Sequence, residues 1–424
     1  MTDVLVDRDD DSTEGTRRDE ILDTAGEIFA AEGVRASLKE IADACGILPG
    51  SLYHHFESKD AILVELVERY DADLDAIARR SREALRRSDG PSPSVVLVDQ
   101  AVDIAACGSR HRAALQLTLF EPPSGAGDEL VRVLEARPAT IERAVRDTLR
   151  AGQRTGEIRT DIDPPRFADR LCGSMLHLGA GAFVGAPDGE RLAEMKARML
   201  LEGVAVRPPT DRALDRSAAF AAANDVIAGW PHDPAHDDDD RWSTLQAAAR
   251  TEFGRRGYEA TTVRDIASAA GMSTGSVYRL IGSKHQLLLS VMQSLADNIS
   301  TGWEAVLTSD STAVEKLDAL MWIDINVIDR FREEYRIQLA GLRVSTPDIV
   351  EQGWAFSRRL REIRTLLSRG TKLGELQVAG GTADERAWCV LELIWMPESL
   401  VATGPRPALE LARDTVLRGA ASRS

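Results

Sequence analysis

Residues Arg17–Leu63 read RRDEILDTAGEIFAAEGVRASLKEIADACGILPGSLYHHFESKDAIL, and residues Arg241–Leu288 read RWSTLQAAARTEFGRRGYEATTVRDIASAAGMSTGSVYRLIGSKHQLL. With a one-residue gap after Arg35 the two stretches align. They share Phe29/Phe253, Gly33/Gly257, Ile41-Ala42/Ile266-Ala267, Gly46/Gly271, Gly50-Ser51/Gly275-Ser276, Tyr53/Tyr278 and Ser58-Lys59/Ser283-Lys284. An internal repeat of this kind divides the 424-residue chain into two units of similar plan, each long enough to bury its own core.

Each copy begins with apolar residues at helical spacing: Ile21, Leu22, Ala25, Ile28 and Phe29 in the first, Leu245, Ala248, Ala249 and Phe253 in the second. Gly33 and Gly257 stand where a helix C-terminus favours glycine. Ser37 and Thr262, each followed three residues later by an acid (Glu40, Asp265), open the next helix in the manner of a capping box. Gly46 and Gly271 then permit a sharp turn, and a short third helix runs through Tyr53 or Tyr278. Small alanines let the second and third helices cross closely. Three short helices with a glycine turn before the last describe a helix-turn-helix.

The order of Phe, Gly, Ile-Ala, Gly, Leu/Val-Tyr and Ser-Lys resembles the DNA-binding domain of TetR-family transcriptional regulators. SLYHHFESKDAIL, in the first copy, is the nearer to the family pattern. The second departs at Leu280, Ile281 and His285. The resemblance implies an all-α chain in which each helix-turn-helix is followed by a helical ligand-sensing bundle. It also implies that the third helix enters the major groove of double-stranded operator DNA, where all four base pairs are distinguishable. By matching positions, the second copy offers Thr274, Gly275, Ser276, Tyr278 and Arg279. Arg279 has two open roles, a bidentate grip on guanine or a phosphate contact that sets register. The first copy offers Gly50, Ser51, Tyr53, His54 and His55, with no Arg, Lys, Asn or Gln on that helix. Lys59 and Lys284, opening the fourth helices, and Lys39 and Arg264, early in the second, are further phosphate candidates. For Tyr53 and Tyr278 the alternative is a ring that merely packs the domain. For the histidine pair, one exposed and one packed ring is expected rather than a pH sensor.

The formal net charge of −16 argues against a nucleic-acid partner until it is counted by segment. Residues 241–284 carry seven Arg/Lys against three Asp/Glu, whereas residues 17–60 carry five against nine. The second head therefore holds the stronger electrostatic claim. No apolar run approaches the ~20 residues that span a bilayer, and the acidic N-terminus does not read as a secretory signal, so a cytoplasmic location is expected. Cys45, Cys107, Cys172 and Cys389 lie far apart and read as reduced thiols. No nucleophile–base pairing, metal-ligand spacing or phosphate-binding glycine loop is present, so neither an enzyme nor a cofactor or metal is expected.

The plan is a lead-in at 1–15, helix-turn-helix domains at 16–60 and 241–285, helical sensing domains at 61–206 and 286–420, and a Pro- and Asp-rich connector at 207–240. The alanine-rich Ala213–Ile227 inside that connector has helical character, and the whole segment leaves any mutual placement of the units open. His232 and His236 beside four aspartates read as solvated connector rather than a metal site. Six of seven tryptophans fall at or after residue 242, so the two sensing bundles are not equivalent. Candidate ligand contacts for a small apolar effector are Phe120, His177, Trp322, Trp354 and Trp388. The tandem arrangement implies either a pseudo-dimeric monomer on an asymmetric operator or a homodimer of tandem chains. The alternative function is a ligand- or partner-binding helical scaffold in which one or both heads no longer bind DNA.

Overall fold

Serine and threonine at the helix starts do what their short side chains favour. In the computed structural model, Ser37 and Glu40, Thr262 and Asp265, Thr312 and Glu315, and Thr382 and Glu385 each form a reciprocal capping box. The structure describes residues 10–422 apart from 119–121, 123–124, 137–138, 180–188, 231–240, 259 and 342–355. Within these the regular structure is helical, and β pairing is confined to two isolated bridges. No described helix is long and apolar enough to cross a membrane.

The first unit comprises α1 (Asp10–Glu32), α2 (Leu38–Ala44), α3 (Pro49–His55), α4 (Lys59–Arg86), α5 (Pro93–Arg110), α6 (Arg112–Leu117), α7 (Asp128–Glu135), α8 (Thr140–Thr155), α9 (Pro164–Gly179) and α10 (Gly189–Glu202). Two helices follow in the connector, α11 (Asp211–Leu214) and α12 (Ala218–Ala228). The second unit comprises α13 (Arg241–Arg256), α14 (Val263–Ala269), α15 (Thr274–Ile281), α16 (Lys284–Thr308), α17 (Ala313–Arg330), α18 (Arg332–Gly341), α19 (Phe356–Lys372), α20 (Ala383–Ile394), α21 (Glu398–Val401) and α22 (Pro405–Ala412), closing with a π-helical turn at Arg413–Leu417.

The two units are joined by reciprocal backbone contacts. Val204 and Ala205 donate to the carbonyls of Val416 and Leu417 at 2.8 and 3.1 Å, while Ala420 and Ala421 donate to Leu200 and Leu201 at 3.0 and 2.7 Å. The same tails reach the turns that follow α8 and α19: Ile158 bridges Ala421, and Leu376 bridges Ala205. Each unit thus presents the same two surfaces to the other, the pattern of an isologous interface. At the crossing stand Gly203 and Gly419, with φ of 74° and 78°. A Cβ on Gly203 would lie 2.6 Å from Gly419 N, and one on Gly419 would lie 2.4 Å from Gly203 N. The turns belong to a second, shorter repeat, Gly156-Glu157-Ile158 and Gly374-Glu375-Leu376.

The connector is packed rather than extended between 207 and 230. α12 buries Ala219, Phe220, Ala223 and Ile227 and packs on α16 and α17. Phe220 stacks on Trp322 at 5.6 Å, and Trp230 meets Phe331 edge-on at 5.6 Å. Asp215 and Asp211 are gripped by arginines of the C-terminal region, Arg413 with Asp215 at 2.8 Å and Arg418 with Asp211. The fully buried Arg413 also holds Asp318 of α17 through two bonds of 2.8 Å. These pairs of Asp211 and Asp215 fix how the connector leaves the first unit.

Replacing Gly203 or Gly419 by Ala combines a left-handed backbone with a clash against main-chain atoms that cannot rotate away. Each single variant is expected to lose about 2–5 kcal/mol of stability in urea unfolding, whereas Gly189→Ala, which meets open space, changes little.

Candidate nucleic-acid interface and sensing cavity

Each helix-turn-helix is anchored by a buried residue on its third helix, joined in the second by Ile281. Leu52 and Val277 are wholly buried, and they anchor α3 and α15 so that the opposite faces point outward. Tyr53 and Tyr278 are 56% and 54% exposed, too much for rings that serve only to pack their domains. Gly50 and Gly275 are also exposed, as are His54 and Arg279, while Ser51, His55, Thr274 and Ser276 are half-buried. Lys39 and Arg264 stand exposed on α2 and α14. Every expected reading residue of α3 and α15 is thus exposed or half-buried.

Two lysines have internal duties as well. Lys59 Nζ donates to Val34 O at 2.7 Å, and Lys284 Nζ lies 4.0 Å from the ring centre of Tyr258. Both tie the start of the fourth helix to the turn after the first. Arg279 Nη2 donates to Ser276 Oγ at 3.2 Å, one helical turn away, which orients the guanidinium along the outer face of α15.

The heads differ in where their cations go. Arg18 in the first head lies 4.1 Å over the Phe56 ring and pairs with Glu65 at 2.5 Å, fastening α1 to α4. In the second, Arg255 and Arg256 pair with Glu252 at 3.1 and 2.9 Å, and Arg250 with Glu334 at 3.0 Å. Arg264 and Arg279 remain on the exposed surface of that head.

A cavity of about 820 Å³ opens in the first sensing bundle against the second unit. Its apolar wall includes Val67, Tyr70 and Leu74 of α4 and Ile141 of α8. Arg170 and His177 of α9 face Tyr335 of α18, Glu392 of α20 and Trp395 across it, and Arg255 of α13 reaches its edge. The volume lies within the range of small-molecule sites. His177 Nε2 is buried there with no hydrogen-bond partner among the described residues.

The sequence pattern that defines "Bacterial regulatory proteins, tetR family" matches residues 21–66 and 245–291. The chain is 33% identical over 157 residues to the HTH-type transcriptional repressor KstR2 of Rhodococcus jostii (strain RHA1), covering 37% of this chain and 74% of that protein. It is 32% identical over 150 residues to the HTH-type transcriptional regulator UidR of Escherichia coli (strain K12), covering 34% of this chain and 71% of that one. Among solved structures, the ketosteroid transcriptional regulator KstR2 of Mycobacterium tuberculosis matches with 25% identity and a TM-score of 0.36, over 43% of this chain and 92% of that one. The chain belongs to the TetR family. Because the family pattern matches twice, this member carries two TetR-like units in tandem.

Of the five sensing candidates in this TetR-family chain, His177 lines the cavity. Trp322 donates from Nε1 to Asn224 Oδ1 at 2.8 Å and packs on the connector helix, and Trp388 is buried in α20. Phe120 and Trp354 lie outside the described residues, as do His232 and His236. Sequence reasoning missed the charges that matter most here. Lys196 and Arg170 are fully buried in α10 and α9, and Glu392 is nearly so in α20. Arg170 donates to the carbonyls of Leu393 and Trp395, satisfying the C-terminal end of α20 from the other unit. A charge standing in the apolar phase of a helix was the available signal.

Glu392 accepts from His177 Nδ1 at 3.1 Å and from Lys196 Nζ at 3.4 Å, both of the first unit. Burial raises the Glu392 carboxyl, but His177 and Lys196 beside it outweigh that and bring it down to about 2. Its contribution to stability is therefore fully present above the usual glutamate range near ~4.3 and is lost as pH falls through about 2. Glu392→Gln, which leaves Lys196 buried without its counter-charge, is expected to cost about 3–5 kcal/mol at pH 7. Denaturation curves taken across pH should show variant and wild type converging between about 4.5 and 2, as the wild-type carboxyl protonates.

Proposed function

We propose that this chain is a ligand-responsive transcriptional repressor whose two units act as an intramolecular pseudo-dimer on an asymmetric operator. The observation that carries the reading is the reciprocal pairing of residues 200–205 with 416–421, which joins the two units within one chain. Repression is suggested by likeness to the Rhodococcus repressor. Asymmetry of the operator follows from the heads themselves. One presents Tyr278 and Arg279, the other Tyr53 and His54, so the two half-sites need not share a sequence.

The effector is placed in the 820 Å³ cavity, as a mainly apolar molecule with a polar end that bonds the unpaired His177 Nε2. Because the cavity touches α4 and also Arg255 of α13, an occupant would contact elements leading to both heads. Such a ligand releases DNA to the extent that it prefers the DNA-incompetent spacing of the heads. Phosphate contacts fall to Lys39, Lys59, Tyr53, Arg264, Lys284 and Tyr278, and base reading falls to Ser51, His54, Thr274, Ser276 and Arg279.

One observation favours a second reading for the first head: its nine acidic residues against five cations in residues 17–60. If that head has ceased to read DNA, Tyr53→Ala will leave operator affinity unchanged while Tyr278→Ala weakens it.

Gel shifts on the DNA upstream of the chain's own reading frame separate these outcomes. Both tyrosine variants are expected to weaken binding, and Arg279→Ala is expected to cost about 1–3 kcal/mol and relax one base position. Light scattering of the complex should give one chain per operator. Two chains on a perfectly palindromic site would refute the pseudo-dimer.

A further inference from the structure

We propose that Asp73, Cys107 and His111 form a zinc-type transition-metal site in the first sensing bundle. One carboxylate oxygen, one thiol sulfur and one ring nitrogen from these residues lie within 4.8 Å of one another. Cys107 and His111 stand four residues apart at the end of α5, where His111 N–H still donates to Cys107 O at 3.0 Å. One helical turn therefore brings both side chains to the same face, the spacing by which a helix supplies two ligands to zinc. Asp73 arrives from α4, and its Oδ2 is 2.9 Å from His111 Nε2. With metal–ligand bonds of ~2.0–2.3 Å, tetrahedral ligands stand ~3.3–3.8 Å apart, so the three need only a modest contraction around an ion.

The donor set specifies the class of metal. A thiolate with an imidazole and a single carboxylate suits Zn²⁺ and its neighbours far better than Mg²⁺ or Ca²⁺. Three protein ligands leave a fourth position for water, reached from the side of the partly exposed Asp73. The surroundings supply an outer layer. Arg110 Nη2 donates to Asp73 Oδ2 at 3.1 Å and holds the carboxylate from outside, and the Tyr70 ring lies 5.9 Å from the His111 ring.

The proton balance is simple. Asp73 enters ionised, its carboxyl held below the usual range by the His111 hydrogen bond and by Arg110. The His111 proton that faces Asp73 from Nε2 without a metal moves through solvent to Nδ1, which leaves a neutral imidazole whose Nε2 lone pair goes to the metal. The Cys107 S–H bond breaks, its electron pair forms the metal–sulfur bond, and the proton leaves to solvent. Metal affinity therefore rises with pH.

The position gives the site a consequence. α4 carries the first reading head, and α6, which starts directly after His111, packs on both α4 and α1. A metal here fastens that head to its sensing bundle, next to the cavity that Tyr70 and Leu115 line.

The test uses the full-length, tag-free, reduced chain, stripped with chelator and titrated with Co²⁺ as a spectroscopic probe. The expected result is one equivalent bound, with tetrahedral visible bands and a near-ultraviolet sulfur-to-cobalt band, both displaced by Zn²⁺. Cys107→Ser should remove the sulfur band, His111→Ala and Asp73→Asn should weaken binding at least tenfold, and Cys45→Ala should change nothing. Asp73 and His111 are partly exposed, so their variants keep the test open if Cys107→Ser disturbs folding, which circular dichroism reports. Absence of the sulfur band in wild type, or its survival in Cys107→Ser, overturns the proposal. None of these readouts involves DNA, so they stand apart from the functional reading above.

Discussion

The two chain segments that end the units cross at Gly203 and Gly419, and the rest of the molecule is arranged around that crossing. Each glycine occupies a left-handed conformation with the main chain of the other segment where a side chain would be. Four backbone hydrogen bonds surround them, donated twice from each side. Backbone contacts of this kind do not depend on side-chain identity, which explains how they persist between units whose sequences agree at few positions outside the reading heads. The turns Gly156-Glu157-Ile158 and Gly374-Glu375-Leu376 complete the arrangement, since each receives the tail of the opposite unit. The last helices, α10 and α22, are thereby fixed relative to one another before any side chain is considered.

Around this symmetric core of contacts the side chains are asymmetric. Arg170 and Lys196 extend from the first unit to Glu392 and to the carbonyls at the end of α20. On the second unit's side, the buried cation Arg413 turns inward to Asp318 and the connector's Asp215. Buried charges add little net stability over apolar residues, but they are expensive to mismatch. The connector adds a further difference. In the first unit α8 packs on α4 and α5, whereas in the second the connector helix α12 packs on the matching α16 and α17. The 820 Å³ cavity opens on the first unit, where no connector helix intrudes, and another of about 570 Å³ lies in the second unit beside α16, α17 and α19.

The reading heads were legible in the sequence because their chemistry is local. Capping boxes at Ser37 and Thr262, turn glycines, and an apolar residue at Leu52 or Val277 between outward neighbours all act within a few residues, and the structure keeps them as written. The helical character of Ala213–Ile227 was legible for the same reason. Its burial was not, because nothing in an alanine-rich stretch says which surface will cover it. The interface was hidden for a related reason. Its signals are two glycines separated by more than two hundred residues and single charges inside apolar helices, and each acquires meaning only from a partner in the other unit. The tryptophan count pointed to inequivalent bundles, yet it did not locate the cavity. Trp322 is engaged by Asn224 and Phe220 of the connector, and the cavity is edged by charges and by Trp395.

These facts bear on how a signal would cross the molecule. A joint made of main-chain bonds and interlocked glycines has little freedom to slide, so a small change in head spacing must come from the elements that lead outward from it. In the first unit that element is α4, which runs from the reading head into the cavity wall at Val67, Tyr70 and Leu74. In the second it is the packing of α13 on α18, where Arg250 pairs with Glu334 and where Arg255 meets the cavity edge. One occupant could thus bias both heads through different levers, a long helix on one side and a packed helix pair on the other. Discrete rearrangements of this sort need only small displacements at the ligand, because packed helices shift between distinct arrangements rather than deforming continuously. The unequal heads then have a structural counterpart: the 820 Å³ cavity, placed off the pseudo-symmetric crossing, touches each head's supports differently.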